Sequence, residues 1–313
     1  MRSLSQKPTA AELLARATRR LRRAHLHYGH GTAEPVDDAA ALLAHALDRD
    51  PPLSARQLRR RVGAAPRRRF EALLRQRIRA HVPVVYLTHR TWFAGLPIYV
   101  DERVLIPRSP IAELCEQRFQ PWIDARRVRR ICDLGTGSGC IAIACARAFP
   151  RARVDAVDIS ADALAVARIN IRAHRLGRRV RVVQSDHFAA LNGVAYDMIV
   201  SNPPYVGRRE MAGLPAEYRH EPVLALASGP QGLASVNVLL RESVRHLRPG
   251  GILVVEVGNT ETLLRRRYPR LPFVWLEFAR GGGGVFVLTR EQLQAAGLDV
   301  RDCMRAREGD GVG

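Results

Sequence analysis

The chain has 313 residues, a length that suits two domains, and 47% of them are apolar, enough for a sizeable core. No run of about 18 apolar residues occurs, which excludes a spanning helix, and the N-terminus has no long apolar stretch of the kind a secretory signal needs. The formal charge of +20 points to a ribonucleoprotein neighbourhood through phosphate neutralisation, yet Lys7 is the only lysine, so genome-wide base composition explains the arginine surplus equally well.

Residues 10–27 have a helical pattern, with Leu13, Leu14, Ala17 and Leu21 recurring on one face. "YGHGTAEPVDDAA" (28–40) interrupts it, and Asp37 or Asp38 is placed to cap a second helix carrying Leu42, Leu43 and Leu47. "SARQLRRRVG" and "PRRRFEALLRQRIRAH" predict two more helices, so residues 1–88 read as a small, arginine-rich helical domain. The runs at 59–61 and 67–69 are solvated helix faces or contacts to rRNA. "VPVVYLTHRTWFAGLPIYVDERVLIPRSP" (82–110) is rich in β-branched and aromatic residues. It predicts a hairpin connector over 89–110, with "AGLP" turning between "RTWFA" and "PIYVD".

From residue 128 strand and helix alternate: "VRRICDLG", the helix "CIAIACARAFP", "RVDAVDIS", then the helix "ADALAVARINIRAHRLG" with Ser160 as its cap. "RVRVVQSD", "YDMIVSNPP", the helix "LASVNVLLRESVRHLRPG", "GILVVEVG", "FVWLEFA" and "GVFVLTR" follow. Near-continuous apolar strands between amphipathic helices mean a parallel α/β sheet covered on both faces. "RGGGG" is too short for a helical crossover, so the last two strands should be antiparallel. This domain is expected over 111–292, followed by a tail at 293–313 that ends in the disordered composition "RAREGDGVG". Cys115, Cys132, Cys140, Cys145 and Cys303 form no C-x-x-C and there is no zinc spacing, so they read as small hydrophobes and no metal is expected.

"DLGTGSG" (133–139) follows the first strand of this series and opens a helix; its spacing is not the dinucleotide G-x-G-x-x-G. Asp158 ends the next strand about 20 residues further on, where a carboxylate can accept both ribose hydroxyls. Asp186 ends the third strand, as an adenine contact or as a turn residue. "SNPPYV" (201–206) is more specific. Pro203 holds Asn202 extended, and the two prolines remove two N–H donors, leaving the Asn202 side-chain oxygen and the Pro203 carbonyl as rigid acceptors. Two acceptors suit a planar –NH₂ group, and Tyr205 can cover it. Glu221, Glu256 and His220 are pocket candidates, with turn, strand-end and loop roles as alternatives, and Arg108 is either a carboxylate anchor or a tie for the connector.

The glycine motif resembles that of class I methyltransferases that use S-adenosylmethionine. "NPPY" is shared by enzymes that methylate adenine, cytosine or glutamine amino groups. "VPVVYLT", "VDERVLIPRSP", "DLGTGSGCIAIACA", "SNPPYV", "EYRHEPVLALASGPQGL" and "EVGN", in this order, resemble the protein-(glutamine-N5) methyltransferases over nearly the whole chain. "YGHGT", "TWFAGLPIYVDERVLIPRSPI" and the terminal "WLEF…GGVFVLT" are similar to the branch acting on large ribosomal subunit protein three. The release-factor branch usually continues after Pro-Arg with a Pro-Glu-Thr type sequence, whereas here Arg108 precedes Ser109-Pro110-Ile111.

The resemblance implies a Rossmann-like seven-strand sheet with its last strand antiparallel, a hairpin, and an N-terminal helical substrate-recognition domain. It implies a cofactor site of Asp133, Gly135, Thr136, Gly137, Gly139, Asp158, Asp186 and Asn202. The glutamine side chain would meet Asn202, Pro203, Pro204 and Tyr205, of which Asn202, Pro203 and Tyr205 act in catalysis. The expected setting is cytoplasmic, with the ribosomal protein free or in an assembling subunit and no membrane. The alternatives are release-factor methylation, DNA or RNA amino methylation, and a noncatalytic module that binds the cofactor.

Overall fold

The computed structural model describes residues 7–297; the expected terminal disorder and Cys303 lie outside them. The chain forms two compact units. The first takes the chain to Thr91 together with Val100–Glu102 and Pro215–Glu221; the second comprises Trp92–Tyr99, Arg103–Leu214 and the chain from Pro222. The hairpin segment is therefore divided, with 92–99 and 103–110 in the second unit and 89–91 and 100–102 in the first, which also recruits seven residues from far along the sequence.

In the first unit the helix Ala10–Arg22 starts at a reciprocal cap: the Thr9 hydroxyl accepts the Glu12 N–H and the Glu12 carboxylate accepts the Thr9 N–H. Its apolar face, Leu13, Ala17 and Leu21, joins Leu42 and Leu43 of Pro35–Ala46 and Phe70 and Leu74 of Ala64–Ala80 in one core. Ala55–Arg59 completes the series with Ser54 as its cap. Arg67, Arg68 and Arg69 are exposed. Asp37 and Asp38 divide the work expected of either. The Asp37 carboxylate reaches back to the Glu34 N–H at 3.0 Å, whereas Asp38 is fully buried. Val84–Thr88, in the last part of the stretch expected to be helical, forms a short helix. Val84 and Leu87 pack on the helical core, and that packing overrides the β preference of the sequence.

Asp38 is balanced by Arg77, itself 2% exposed, at 2.7 Å; Arg77 also donates to Glu217 at 3.0 Å and to the His27 carbonyl at 2.9 Å. The Glu217 carboxylate additionally accepts the His27 N–H. One guanidinium thus neutralises two buried carboxylates.

The second unit opens with a hairpin, β1 (Thr91–Phe93) and β2 (Leu96–Ile98), turning through Ala94 and Gly95 at positive φ. The helix Ile111–Glu116, which the sequence pattern does not announce, follows. The strands are β3 (Arg130–Leu134), β4 (Arg153–Asp158), β5 (Val180–Gln184), β6 (Tyr196–Ser201), β7 (Leu247–Glu256), β8 (Val274–Trp275) and β9 (Val285–Thr289). They form a seven-stranded sheet in the order β5-β4-β3-β6-β7-β9-β8. Strands β3 to β7 pair in parallel, and β9 runs antiparallel to both β7 and β8. Cys140–Ala148, Ala161–Ala173 and Ala234–His246 are the principal helices, and Glu261–Arg267 is a further one absent from the sequence reading. Among the described residues no helix is long and apolar enough to cross a membrane. From β3 the chain winds outward to β4 and β5, then returns to place β6 on the other side. Such a reversal opens a crevice at the carboxyl ends of the central strands.

Arg77→Met should destabilise the protein by about 3–5 kcal/mol, because Asp38 and Glu217 lose their shared counter-ion in the interior. Arg69→Met, which breaks a pair whose side chains are 50% and 80% exposed, should change stability by no more than about 0.5 kcal/mol. Urea unfolding of the two variants distinguishes these outcomes.

Candidate active site

Leu134, the last residue of β3, pairs with Val157 of β4 on one side and Ser201 of β6 on the other. The glycine loop therefore leaves the sheet between Asp158 and Asn202. Asp133 is fully buried beneath the loop, and one of its oxygens accepts the Thr136 hydroxyl and the Ala142 N–H. Its other oxygen has no hydrogen-bond partner among the described residues. Burial pushes the Asp133 carboxyl up to about 7.

Asp158 accepts the N–H of Gly137 at 2.9 Å and of Ser160 at 3.0 Å, so it braces the loop as well as facing the crevice. Burial raises its pKa too. Each carboxylate oxygen keeps a free lone pair after one such bond, so these contacts leave Asp158 able to accept ribose hydroxyls. Ser185, just past β5, donates its N–H to the Asp158 carbonyl. Asp186 follows on this edge with its side chain 70% exposed, 2.7 Å from His187 Nδ1.

The loop's own N–H groups are largely spent. Thr136 donates to the Val157 carbonyl, Gly137 to Asp158 and Gly139 to the Thr136 carbonyl. A phosphate cradle needs free N–H groups, and this loop instead presents carboxylates and carbonyls. That acceptor-rich chemistry fits a cationic, hydroxyl-bearing nucleoside such as S-adenosylmethionine. Asn170 adds a brace that sequence reasoning missed: its side-chain NH₂ donates to the carbonyls of Ser138 and Tyr99, and its oxygen accepts the Tyr99 N–H. A lone amide on the buried face of an otherwise apolar helix was the available signal.

Asn202 emerges beside this loop. A Cβ on Gly135 would lie 3.8 Å from the Asn202 carbonyl oxygen and 3.9 Å from Pro203 Cα, so the two motifs abut. The Ser201 hydroxyl donates to the Leu134 carbonyl at 2.7 Å, locking the strand ends together. Asn202 Oδ1 is buried and has no hydrogen-bond partner among the described residues. An unsatisfied buried acceptor costs about 1–3 kcal/mol, and a bound donor is one arrangement that relieves that cost. Pro203 is buried and Pro204 half-buried. Tyr205 donates its hydroxyl to Glu256 at 3.3 Å. Glu256, at the end of β7, is pushed by burial up to about 7, against the pull of hydrogen bonds from Ser109 and Tyr205 and the charge of Arg108.

Other sequence candidates lie elsewhere. Glu221 and His220 belong to the first unit, where Glu221 faces His30 at 3.2 Å and His220 Nε2 meets the Ala80 carbonyl. Cys132, Cys140 and Cys145 are buried, as expected of small hydrophobes. Among the described residues no cluster of three or more His, Cys, Asp or Glu could hold a metal.

Asp133 and Glu256 both titrate higher when folded than their ordinary values of 3.8 and 4.5. Between about pH 4 and pH 7 the folded state therefore holds more protons than the unfolded one, so their contribution to stability is full below this window and lost as pH rises through it. Asp133→Asn removes one such titration. Its stability relative to the parent chain should improve from about pH 5 to about pH 8 in urea unfolding, and an unchanged difference would contradict the assignment.

The family model described as Methyltransferase small domain matches residues 117–214, and that described as PrmC N-terminal domain matches residues 12–88. The ribosomal protein uL3 glutamine methyltransferase of Neisseria meningitidis serogroup B is 44% identical over 286 residues, covering 91% of this chain and 94% of its own. That of Neisseria gonorrhoeae is equally similar and covered to 95%. Among solved structures, a methyltransferase from Pyrococcus furiosus aligns with a TM-score of 0.46 at 20% identity, covering 63% of this chain and 89% of that one. With that identity sustained across both units, the chain belongs to the ribosomal protein uL3 glutamine methyltransferase family.

Proposed function

We propose that this enzyme transfers the methyl group of S-adenosylmethionine to the side-chain amide nitrogen of a glutamine in ribosomal protein uL3. The observation that carries the reading is the buried, unpartnered Asn202 Oδ1 next to the glycine loop. An amide nitrogen is a poor nucleophile because its lone pair is delocalised, as the rotation barrier of about 18–20 kcal/mol attests. Accepting both of its N–H bonds, one at Asn202 Oδ1 and one at the Pro203 carbonyl, returns electron density to nitrogen and fixes its direction. Pro204 stiffens the turn, and the Tyr205 ring covers the flat amide. When bound, the cofactor supplies a methyl group on a positively charged sulfur. Asp133, Gly135, Thr136, Gly137, Gly139, Asp158 and Asp186 are the residues assigned to hold it, with Asn202 facing both cofactor and substrate. The rate gain comes from orientation and preset dipoles rather than from a nucleophilic side chain. The surplus amide proton stays hydrogen-bonded to one of the two acceptors until water removes it.

The relatives' names support uL3 over a release factor, as does the sequence after Arg108. The first 91 residues carry 19 basic against 7 acidic side chains, a surplus compatible with uL3 met either free or in an assembling, rRNA-bearing particle of the cytoplasm. The helical unit is the substrate-recognition part in this reading.

With S-adenosylmethionine and uL3, peptide mass spectrometry should find one methyl group on a single glutamine of uL3. A methylated release factor beside unmodified uL3 would overturn the substrate assignment, and label entering nuclease-sensitive material would redirect it to nucleic acid. Asn202→Ala should lower turnover by about 100-fold or more while the cofactor still binds, the magnitude expected when one preset electrostatic partner is removed.

A further inference from the structure

Glu256 occupies a position where a carboxyl group is expensive. It ends β7 after Ile252, Leu253, Val254 and Val255, all buried, and is itself 6% exposed. Burying a carboxyl without full hydrogen bonding is unfavourable, and Glu256 Oε2 has no partner among the described residues. An apolar residue would extend the run of β7 at no such cost, so the acid needs a reason in the site.

Register and packing supply one. Ser201 pairs in parallel with Val255, so Asn202 and Glu256 are the next residues of neighbouring strands at the carboxyl edge. Register partners in a parallel pair carry their side chains on the same face. Glu256 accepts the Tyr205 hydroxyl, and on its other flank meets the Ser109 hydroxyl and the Arg108 charge. Ser109 is in turn steadied by the Ile111 N–H, which it accepts. The Tyr205 ring lies directly on Gly258, where a Cβ would come within 2.6 Å of Cε2 and where φ is +49°. The Tyr205 carbonyl is likewise packed against Gly232. The glycines thus give the ring and backbone room to lie close, while Glu256 anchors the hydroxyl end of the ring.

We infer that Glu256 is the positioning residue of Tyr205, acting through its hydrogen bond to the phenol to hold the ring over the amide cradle. This rests on the reading of Asn202–Tyr205 as the glutamine site.

The test is a double-mutant cycle with uL3 as acceptor and cofactor binding measured by calorimetry. Glu256→Ala and Tyr205→Phe should each lower kcat about tenfold with cofactor affinity unchanged, and the double variant should be no slower than either, because both delete one interaction. Glu256→Gln, which keeps an oxygen to accept the phenol, should recover most of the loss. Multiplying losses, with a roughly 100-fold slower double variant, would overturn the inference; so would a normal kcat in Tyr205→Phe, which also decides the matter if Glu256→Ala fails to fold. A second readout needs no turnover: the ¹³Cζ resonance of Tyr205 should shift in Glu256→Ala and stay near its original position in Glu256→Gln. If the parent enzyme transfers no methyl group to uL3, the substrate reading fails, and the positioning role stands or falls on that resonance.

Discussion

The pairing of β3 with β6 at the centre of the sheet is the constraint on which the site depends. Leu134 and Ser201 are register partners, and the Ser201 hydroxyl donates across to the Leu134 carbonyl. Everything beyond those two residues is set by that junction. The glycine loop departs from one strand end and the Asn-Pro-Pro-Tyr turn from the other, close enough that a Cβ on Gly135 would be in van der Waals contact with the Asn202 and Pro203 backbone. A slip of one residue in this register would turn the Asn202 side chain to the other face of the sheet.

Around this junction the chain supplies acceptors almost exclusively. Asp133 is buried and Asp158 half-buried beside the loop, the N–H groups of Thr136, Gly137 and Gly139 are spent on the loop's own braces, and the two prolines contribute carbonyls but no donors. Such a site selects ligands that arrive with protons to donate or with positive charge, and rejects phosphates. The crevice chemistry therefore differs in sign from the charge of the chain as a whole.

Much of this was legible in the amino-acid order because the relevant signals are local. Apolar strands alternating with amphipathic helices announce a parallel sheet, and the "RGGGG" link announces its antiparallel end. Asn202 stood out because two following prolines make no sense in a strand and good sense in a rigid acceptor turn. The parts that were not legible depend on distant partners. Asp38 looked like a helix cap, but its partner Arg77 lies 39 residues away and draws it into the interior. Val84–Thr88 has β-branched composition, yet packing on the helical core makes it a helix. Asp133 was expected at the cofactor site, but its bracing of Thr136 and Ala142 was not legible, and Asn170 was invisible because its targets, Ser138 and Tyr99, are 32 and 71 residues away.

The seven residues Pro215–Glu221 that complete the first unit bear on how the protein is made. A nascent chain emerges from its N-terminus, and domains ordinarily fold as they appear. Here Arg77 is synthesised long before Glu217, so the ion pair between them can form only once some 140 further residues have been translated. By then the glycine loop and the Asn-Pro-Pro-Tyr turn have also been translated. The Arg77–Glu217 pair of the first unit therefore forms only after both motifs of the methyl-transfer site have been made, and a fragment cut from the gene at Thr91 would lack Pro215–Glu221.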